Sequence, residues 1–254
     1  METLLELENV TKTYGGGAEA PAVDGVSFRL PRGSFWAVMG PSGCGKSTLL
    51  NMISTIDRPT AGRIRLGGQD LARIPDRDMA RFRRERLGFI FQDYNLLDTL
   101  TLGENIALSM TLQGRPREEI PLQVRELARR LEIEPLLDKF PNQVSGGQRQ
   151  RCACARALAA RPDLLLADEP TGALDSRGAG NLMETLASLN GALHVTVLMV
   201  THDALSASWC EKILFMGDGR ITGEMDRAGR ERRAFFLDIL DHMAAMAGGV
   251  GYVS

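Results

Sequence analysis

Gly40-Pro41-Ser42-Gly43-Cys44-Gly45-Lys46-Ser47 follows an apolar run, Phe35 to Met39, and opens a stretch of helical character, Lys46 to Ser54. The apolar run reads as a buried strand, and glycines 40, 43 and 45 let the backbone turn tightly enough to point successive N–H groups inward. Strand, glycine turn and helix in that order make a phosphate cradle, because the inward N–H groups and the positive helix N-terminus both favour an anion. Lys46 adds a point charge for β- and γ-phosphates, and the Ser47 hydroxyl can ligate a divalent cation. Thr48 adds a contact on the α-phosphate side. A loop of this GxxxxGK[ST] form shows only that a nucleotide is bound, since unrelated ATPases and GTPases share it.

Working outward, Leu164-Leu165-Leu166-Ala167-Asp168-Glu169 is an apolar strand ending in two carboxylates. Asp168 can hold the shell of a Mg²⁺ ion, and Glu169 can reach an attacking water as general base. Val144-Ser145-Gly146-Gly147-Gln148 is a second glycine turn, again opening a helix. Further strands are predicted at Leu4–Val10, Val26–Leu30, Gly62–Gly68, Leu87–Phe91 and His194–Val200, with a hairpin over Lys212–Thr222. A Gly-rich loop is expected at Gly15–Pro21. Helical spacing dominates from Thr101 to about Phe140 and returns from Arg230 to Met246, and the residues from Gly248 to Gly251 are expected to fray. Strands alternating with helices around the cradle predict an α/β fold with a largely parallel core sheet.

Composition narrows the class. A net charge of −2 gives no bulk attraction for nucleic acid, and the arginines from Arg73 to Arg86 alternate with acids, as on a solvated helix face. Of the four cysteines, Cys44 lies in the phosphate loop and Cys152 and Cys154 are poorly spaced for a bridge or a zinc site, so a reducing, cytoplasmic setting is expected. No leader is expected at the acidic N-terminus, and no segment approaches the roughly 20 apolar residues of a membrane span.

The phosphate loop, the Ser-Gly-Gly-Gln turn and the Asp168-Glu169 strand, in this order, resemble the ATP-binding-cassette (ABC) family. The departure is Val144, where leucine is usual. The resemblance covers residues 1–224. It implies a P-loop NTPase fold with a RecA-like parallel-sheet core, an antiparallel β subdomain and a helical signature subdomain at about 95–160, with a C-terminal helical extension at 225–254. It implies ATP and Mg²⁺ as cofactors, with every residue from Gly40 to Thr48 at the nucleotide and Ser47, Gln92 and Asp168 at the metal. Ser145, Gly146, Gly147 and Gln148 would cover ATP held by a second copy, in an ATP sandwich. Gln92 then matches the glutamine that meets Mg²⁺ and the lytic water, and His202 the histidine that contacts the γ-phosphate. Asp175 matches the loop that crosses to the partner, and Tyr14 the aromatic that stacks on adenine.

Two further stretches, Ser54–Gly62 and Phe91–Asn105, resemble ATPases that serve FtsX-like permeases, and the tail Arg233–Gly249 resembles the Bce type, linked to resistance against bacitracin-like antimicrobial peptides. That likeness implies a peripheral location on the cytoplasmic face of the plasma membrane. The helical block between Gln92 and the signature is expected to transmit closure to the permease, with the region near Leu97 or Leu102 beside it. On the tail, Phe235, Phe236, Ile239, Leu240 and Met243 are expected on one helical face. Lipoprotein-release and macrolide-export ATPases are the alternative within the group. A soluble ABC ATPase acting on nucleic acid or the ribosome is the alternative outside it. The single cassette, and the short span from Lys46 to Ser145 with no room for a long coiled coil, argue against that last class.

Overall fold

The computed structural model describes residues 2–15 and 20–248. Most of the expected Gly-rich loop (residues 16–19) and the expected frayed end (after residue 248) lie outside the described residues. In chain order the elements are β1 (Thr3–Lys12), β2 (Val23–Pro31), β3 (Phe35–Met39), α1 (Lys46–Ile53), β4 (Ala61–Leu66), β5 (Gln69–Asp70), α2 (Asp76–Arg86) and β6 (Leu87–Ile90). Three helices follow: α3 (Leu102–Leu112), α4 (Ile120–Arg130) and α5 (Gly146–Ala159). Then come β7 (Leu164–Asp168), α6 (Ser176–Leu193), β8 (Thr196–Thr201), α7 (Ala204–Ala207), β9 (Lys212–Gly217), β10 (Arg220–Asp226) and α8 (Arg232–Gly248).

Two sheets result. The first, in the order β2-β1-β4-β5, is antiparallel; the second, β10-β9-β3-β8-β7-β6, is parallel except for the edge hairpin strand β10. The parallel strands are apolar on both faces because both are covered. Successive residues point to opposite sides, so each strand feeds two cores. Val38, Leu164, Leu166, Leu198 and Leu214 pack with α1 and the antiparallel sheet. Ala37, Leu165, Ala167, Val197, Met199 and Ile213 pack with the helices of the other side.

Helices α3, α4 and α5 pack on one another. Helix α3 starts at a Thr101–Glu104 capping box and turns Leu102, Ile106 and Met110 inward at helical spacing. Leu102 is therefore fully buried, whereas Leu97 is 46% exposed, so of the two residues expected near the permease only Leu97 offers its side chain at the surface. The Leu102 side chain is the first knob of the inward stripe of α3. Helix α2 buries Met79 and Phe82 and leaves Arg77 and Arg81 in water, with Arg81 paired to Glu85 at 2.8 Å, as a solvated face requires.

Helix α8 departs from the expected single apolar face. Phe235 and Ile239 are fully buried, Phe236 is half-buried, and Leu240 and Met243 are exposed. The five residues span too wide an arc of a 3.6-residue helix to meet one neighbour, so the set divides into two adjacent faces. The buried face is pinned at its start by Arg232 over the Trp209 ring (4.4 Å) and Arg230 over the Phe235 ring (5.1 Å). At its far end His242 lies 4.1 Å from the Phe215 ring.

Candidate nucleotide site

Three parallel neighbours, β3, β8 and β7, end at the same edge, in the crevice outside the carboxyl ends where ligands of open α/β sheets bind. The register pairs Met39 with Thr201 and Asp168 with Val200, which sets Gly40, Glu169 and His202 side by side. Two backbone bonds tie the three strand exits together: Gly40 N–H donates to Thr201 O (3.4 Å) and Glu169 N–H to Val200 O (3.0 Å).

In the phosphate loop the glycines serve different purposes. Gly43 (φ 81°) and Gly45 (φ 104°) take left-handed conformations, which open the loop and start α1. Gly40 has no positive φ; a Cβ there would lie 2.1 Å from the Met216 carbonyl, so its smallness lets β9 approach. Pro41, Ser42 and Gly43 form an exposed rim, while the Cys44 side chain is buried in the core below. Cys44 can thus offer a phosphate only its backbone. Lys46 is 7% exposed, and its ammonium donates to Gly40 O (2.7 Å) and Pro41 O (2.8 Å), holding the charge over the loop. Thr48 is half-buried one residue beyond the exposed Ser47.

Asp168 stands opposite. Burial first, and the neighbouring Glu169 charge second, push its carboxyl above the ordinary carboxylate range, against the pull of Lys46 and a hydrogen bond from Ser47. Glu169 adopts φ 45°, rare for a residue with a side chain and the sort of strain found at functional sites. The conformation aims its carboxylate at the end of β8: Oε2 accepts from Thr201 Oγ1 (3.0 Å) and Oε1 lies 2.8 Å from His202 Nδ1. Glu169 is mostly enclosed, whereas His202 is 62% exposed and open to a ligand from outside. Gln92 joins the group across a groove shared with Glu169 and His202.

The turn at Ser145 lies at the head of α5. Ser145 Oγ accepts from Gln148 N–H (3.3 Å) and Gln148 Oε1 from Ser145 N–H (2.9 Å), a closed capping box that fixes the turn. Ser145 is exposed, Gly147 has open space where a Cβ would stand, and Gly146 is kept small by the Tyr94 hydroxyl. Asp175 caps α6 by accepting from Gly178 N–H (2.7 Å). Tyr14 stands apart and half-exposed, with its hydroxyl on Asp57 (2.8 Å) and the Lys12 ammonium 4.9 Å from its ring.

Sequence reasoning missed two residues here. Gln150, fully buried in α5, donates through Nε2 to Phe91 O (3.2 Å) and Pro170 O (2.7 Å), the residues flanking Gln92 and Glu169. It lies two residues beyond Gln148, but nothing local announces its two distant partners. Thr201 bonds Glu169, yet in the sequence it falls just past the strand predicted to end at Val200. The described cysteines are all buried and free, and burial raises the thiols of Cys152 (to about 12), Cys154 and Cys210.

Among the described residues no cluster of three or more His, Cys, Asp or Glu forms a metal cage. The donors present are the hard oxygens of Asp168 and Ser47, with the Gln92 amide across the groove. Such a set suits Mg²⁺, which usually binds one or two protein oxygens plus substrate phosphates and water. The excess negative charge at Asp168 and Glu169 points the same way.

A family model described as ABC transporter matches residues 23–172. The ABC transporter ATP-binding protein YxdL of Bacillus subtilis is 49% identical over all of this chain and 98% of its own length. The bacitracin export ATP-binding protein BceA of Halalkalibacterium halodurans is 42% identical over 96% of this chain and 97% of its own. The lipoprotein-releasing system ATP-binding protein LolD 1 of Rhodopseudomonas palustris is 39% identical over 88% of this chain and 100% of its own. Among solved structures, the ATP-binding cassette MJ0796, dimeric in a post-hydrolysis state with ADP and Pi, superimposes with a TM-score of 0.80 at 39% identity, covering 88% of this chain and 98% of that one.

Proposed function

The chain belongs to the ABC transporter family, as an ATP-binding and ATP-hydrolysing subunit, and we propose that it works as one half of a head-to-tail ATP sandwich. The observation that carries this reading is the outward presentation of the turn: the capping box fixes it, Ser145 is exposed, and a Cβ built at Gly147 would meet nothing within 4 Å. Lys46 of one copy and Ser145 of the other would hold the same ATP. The dimeric state of MJ0796 supports it.

In that site the loop N–H groups and Lys46 bind the triphosphate, Glu169 accepts a proton from the attacking water, and His202 orients both Glu169 and the terminal phosphate. Ser47, Asp168 and Gln92 would hold Mg²⁺, which when bound neutralises charge on the β- and γ-oxygens. Tyr14 would stack on adenine and Asp175 would cross to the partner. We place the domain boundary near residue 224, with the helical block as an inserted signature subdomain. Size-exclusion of Glu169→Gln in Mg-ATP tests the sandwich: a dimer is expected, and a strict monomer even with its permease would refute it.

The coupled reaction is proposed to act on an FtsX-like permease and to protect against bacitracin-like peptides, from the cytoplasmic face of the membrane. A groove of about 490 Å³ between α2, β6 and α3 suits a permease helix: it is lined by exposed Ile56 and Leu112, and by Phe89 and Phe91, whose rings stack at 5.6 Å. The match to BceA takes in 96% of this chain and so most of the tail, whereas the match to LolD 1 takes in 88%. No helix among the described residues is long and apolar enough to cross a membrane, so the permease is a separate chain in this reading. Lys46→Ala should abolish peptide resistance in a bacterial host; unchanged resistance with loss of lipoprotein release would favour the lipoprotein-release alternative. Cysteine probes at Leu97 or Leu112 should crosslink to the permease.

A further inference from the structure

Helix α8 has a second apolar face beside the buried one. Phe236, Leu240 and Met243 follow at i, i+4 and i+7, so they form one stripe. With Gln92, Glu169 and His202 they line a single groove of about 500 Å³ at the catalytic edge. Leu240 and Met243 remain 40% and 36% exposed, and Leu237 beside them 51%. A run of large apolar side chains held in water against a reaction centre is a surface that association would cover.

We propose that a second copy of this chain covers it: the stripe of α8 is the apolar outer rim of the ATP-closed pair. The proposal rests on the sandwich reading above. Three observations select this occupant. The groove continues from the stripe past Glu169 and His202 to Leu174 and Ser176, on either side of Asp175, so it opens onto the edge where the second copy closes. The groove suited to a permease is lined by other residues, Ile56, Phe89 and Leu112 among them. A lipid surface would call for basic residues along the stripe, yet the arginines of α8 sit only at its start, Arg232 over the Trp209 ring and Arg233 beside it, while Asp238 and Asp241 flank Leu240. Closure by a two-fold operation makes the contact reciprocal, so each stripe is covered once in every pair.

The consequence is a coupling between the tail and the reaction. Closing on ATP would bury the stripe and shut water out of the groove beside Glu169, so the tail would strengthen the closed state without touching the nucleotide. Removing its apolar character should weaken pairing and leave ATP binding by a single copy alone.

The test uses the full chain with Glu169→Gln to hold ATP, and reads the dimer dissociation constant by sedimentation in Mg-ATP. Adding Leu240→Glu with Met243→Glu should raise that constant at least about tenfold. Binding of a fluorescent ATP analogue by the diluted monomer, and the thermal melt, should not change. Leu122→Glu, on an exposed position of α4, should leave the dimer as it was. Should the acidic pair perturb folding, Leu240→Ser with Met243→Ser carries the same test. Equal dimerisation with and without the stripe overturns the proposal and leaves the sandwich intact. Loss of monomer ATP binding also overturns it, because the stripe would then act within its own chain. A parent that stays monomeric in Mg-ATP overturns both readings.

Discussion

Replacing Gln150 with leucine should separate stability from catalysis in a way that the structure quantifies. The amide donates to Pro170 O and Phe91 O from a fully buried position. Leucine has nearly the same volume, so little cavity opens and the polar loss dominates. Phe91 O keeps a second donor, Tyr94 N–H at 3.3 Å, so its loss should cost only about 0.5–1.5 kcal/mol. Pro170 O is left without that partner in a buried place, a cost of about 1–3 kcal/mol. Against this, the Gln150 Oε1 atom has no partner, and removing it returns about 1 kcal/mol. The balance is a destabilisation of about 0.5–3.5 kcal/mol, or a fall in melting temperature of roughly 1–14 °C for a chain of this size. Because the two carbonyls flank Gln92 and Glu169, kcat should fall several-fold while the affinity for ATP, set at the phosphate loop, holds. Calorimetry and steady-state ATP hydrolysis read the two effects. A melting temperature unchanged within 1 °C, or a rise in KM with full kcat, would refute the reasoning.

Glu169→Gln should slow phosphate release by roughly 10²–10⁴-fold with nucleotide affinity retained, as measured by turnover and equilibrium titration. Gly45→Ala should abolish nucleotide binding, since φ 104° is strained for alanine and its Cβ would stand 2.2 Å from Ala22 O; a titration with native-like affinity would contradict this. Asp168→Asn should raise the melting temperature at neutral pH in chelator without nucleotide. The folded carboxyl titrates above its ordinary 3.8, so wild-type stability declines as pH rises from that value through the raised one. The advantage of asparagine should therefore vanish on acidification, and an advantage that grows as pH falls would reverse the assignment.

Much of the architecture was legible before any coordinates. Phe35–Met39, Leu164–Asp168 and the segment around Thr196–Val200 read as buried strands because a parallel sheet covered on both faces demands unbroken apolar runs, and local composition records that demand. The phosphate loop was equally legible, since its chemistry is confined to consecutive residues whose N–H groups, lysine and hydroxyl act together. The antiparallel sheet was less so: its strands were expected one by one, but only long-range pairing joins β1 to β2 and β4.

What tertiary structure alone decided were relations between distant residues. Sequence spacing placed a glycine at 40 for a turn, while the fold uses it for close passage of the Met216 carbonyl. The tail's apolar residues were counted as one face, and packing divided them, burying Phe235 and Ile239 and leaving Leu240 and Met243 at the catalytic edge. Gln150 had no local signal, because its meaning lies in two carbonyls brought from other segments. Backbone conformation and burial periodicity are short-range and are written residue by residue into the chain. Hydrogen-bond partners and the neighbours of a helix face are long-range, and exist only once the sheet registers have brought the segments together.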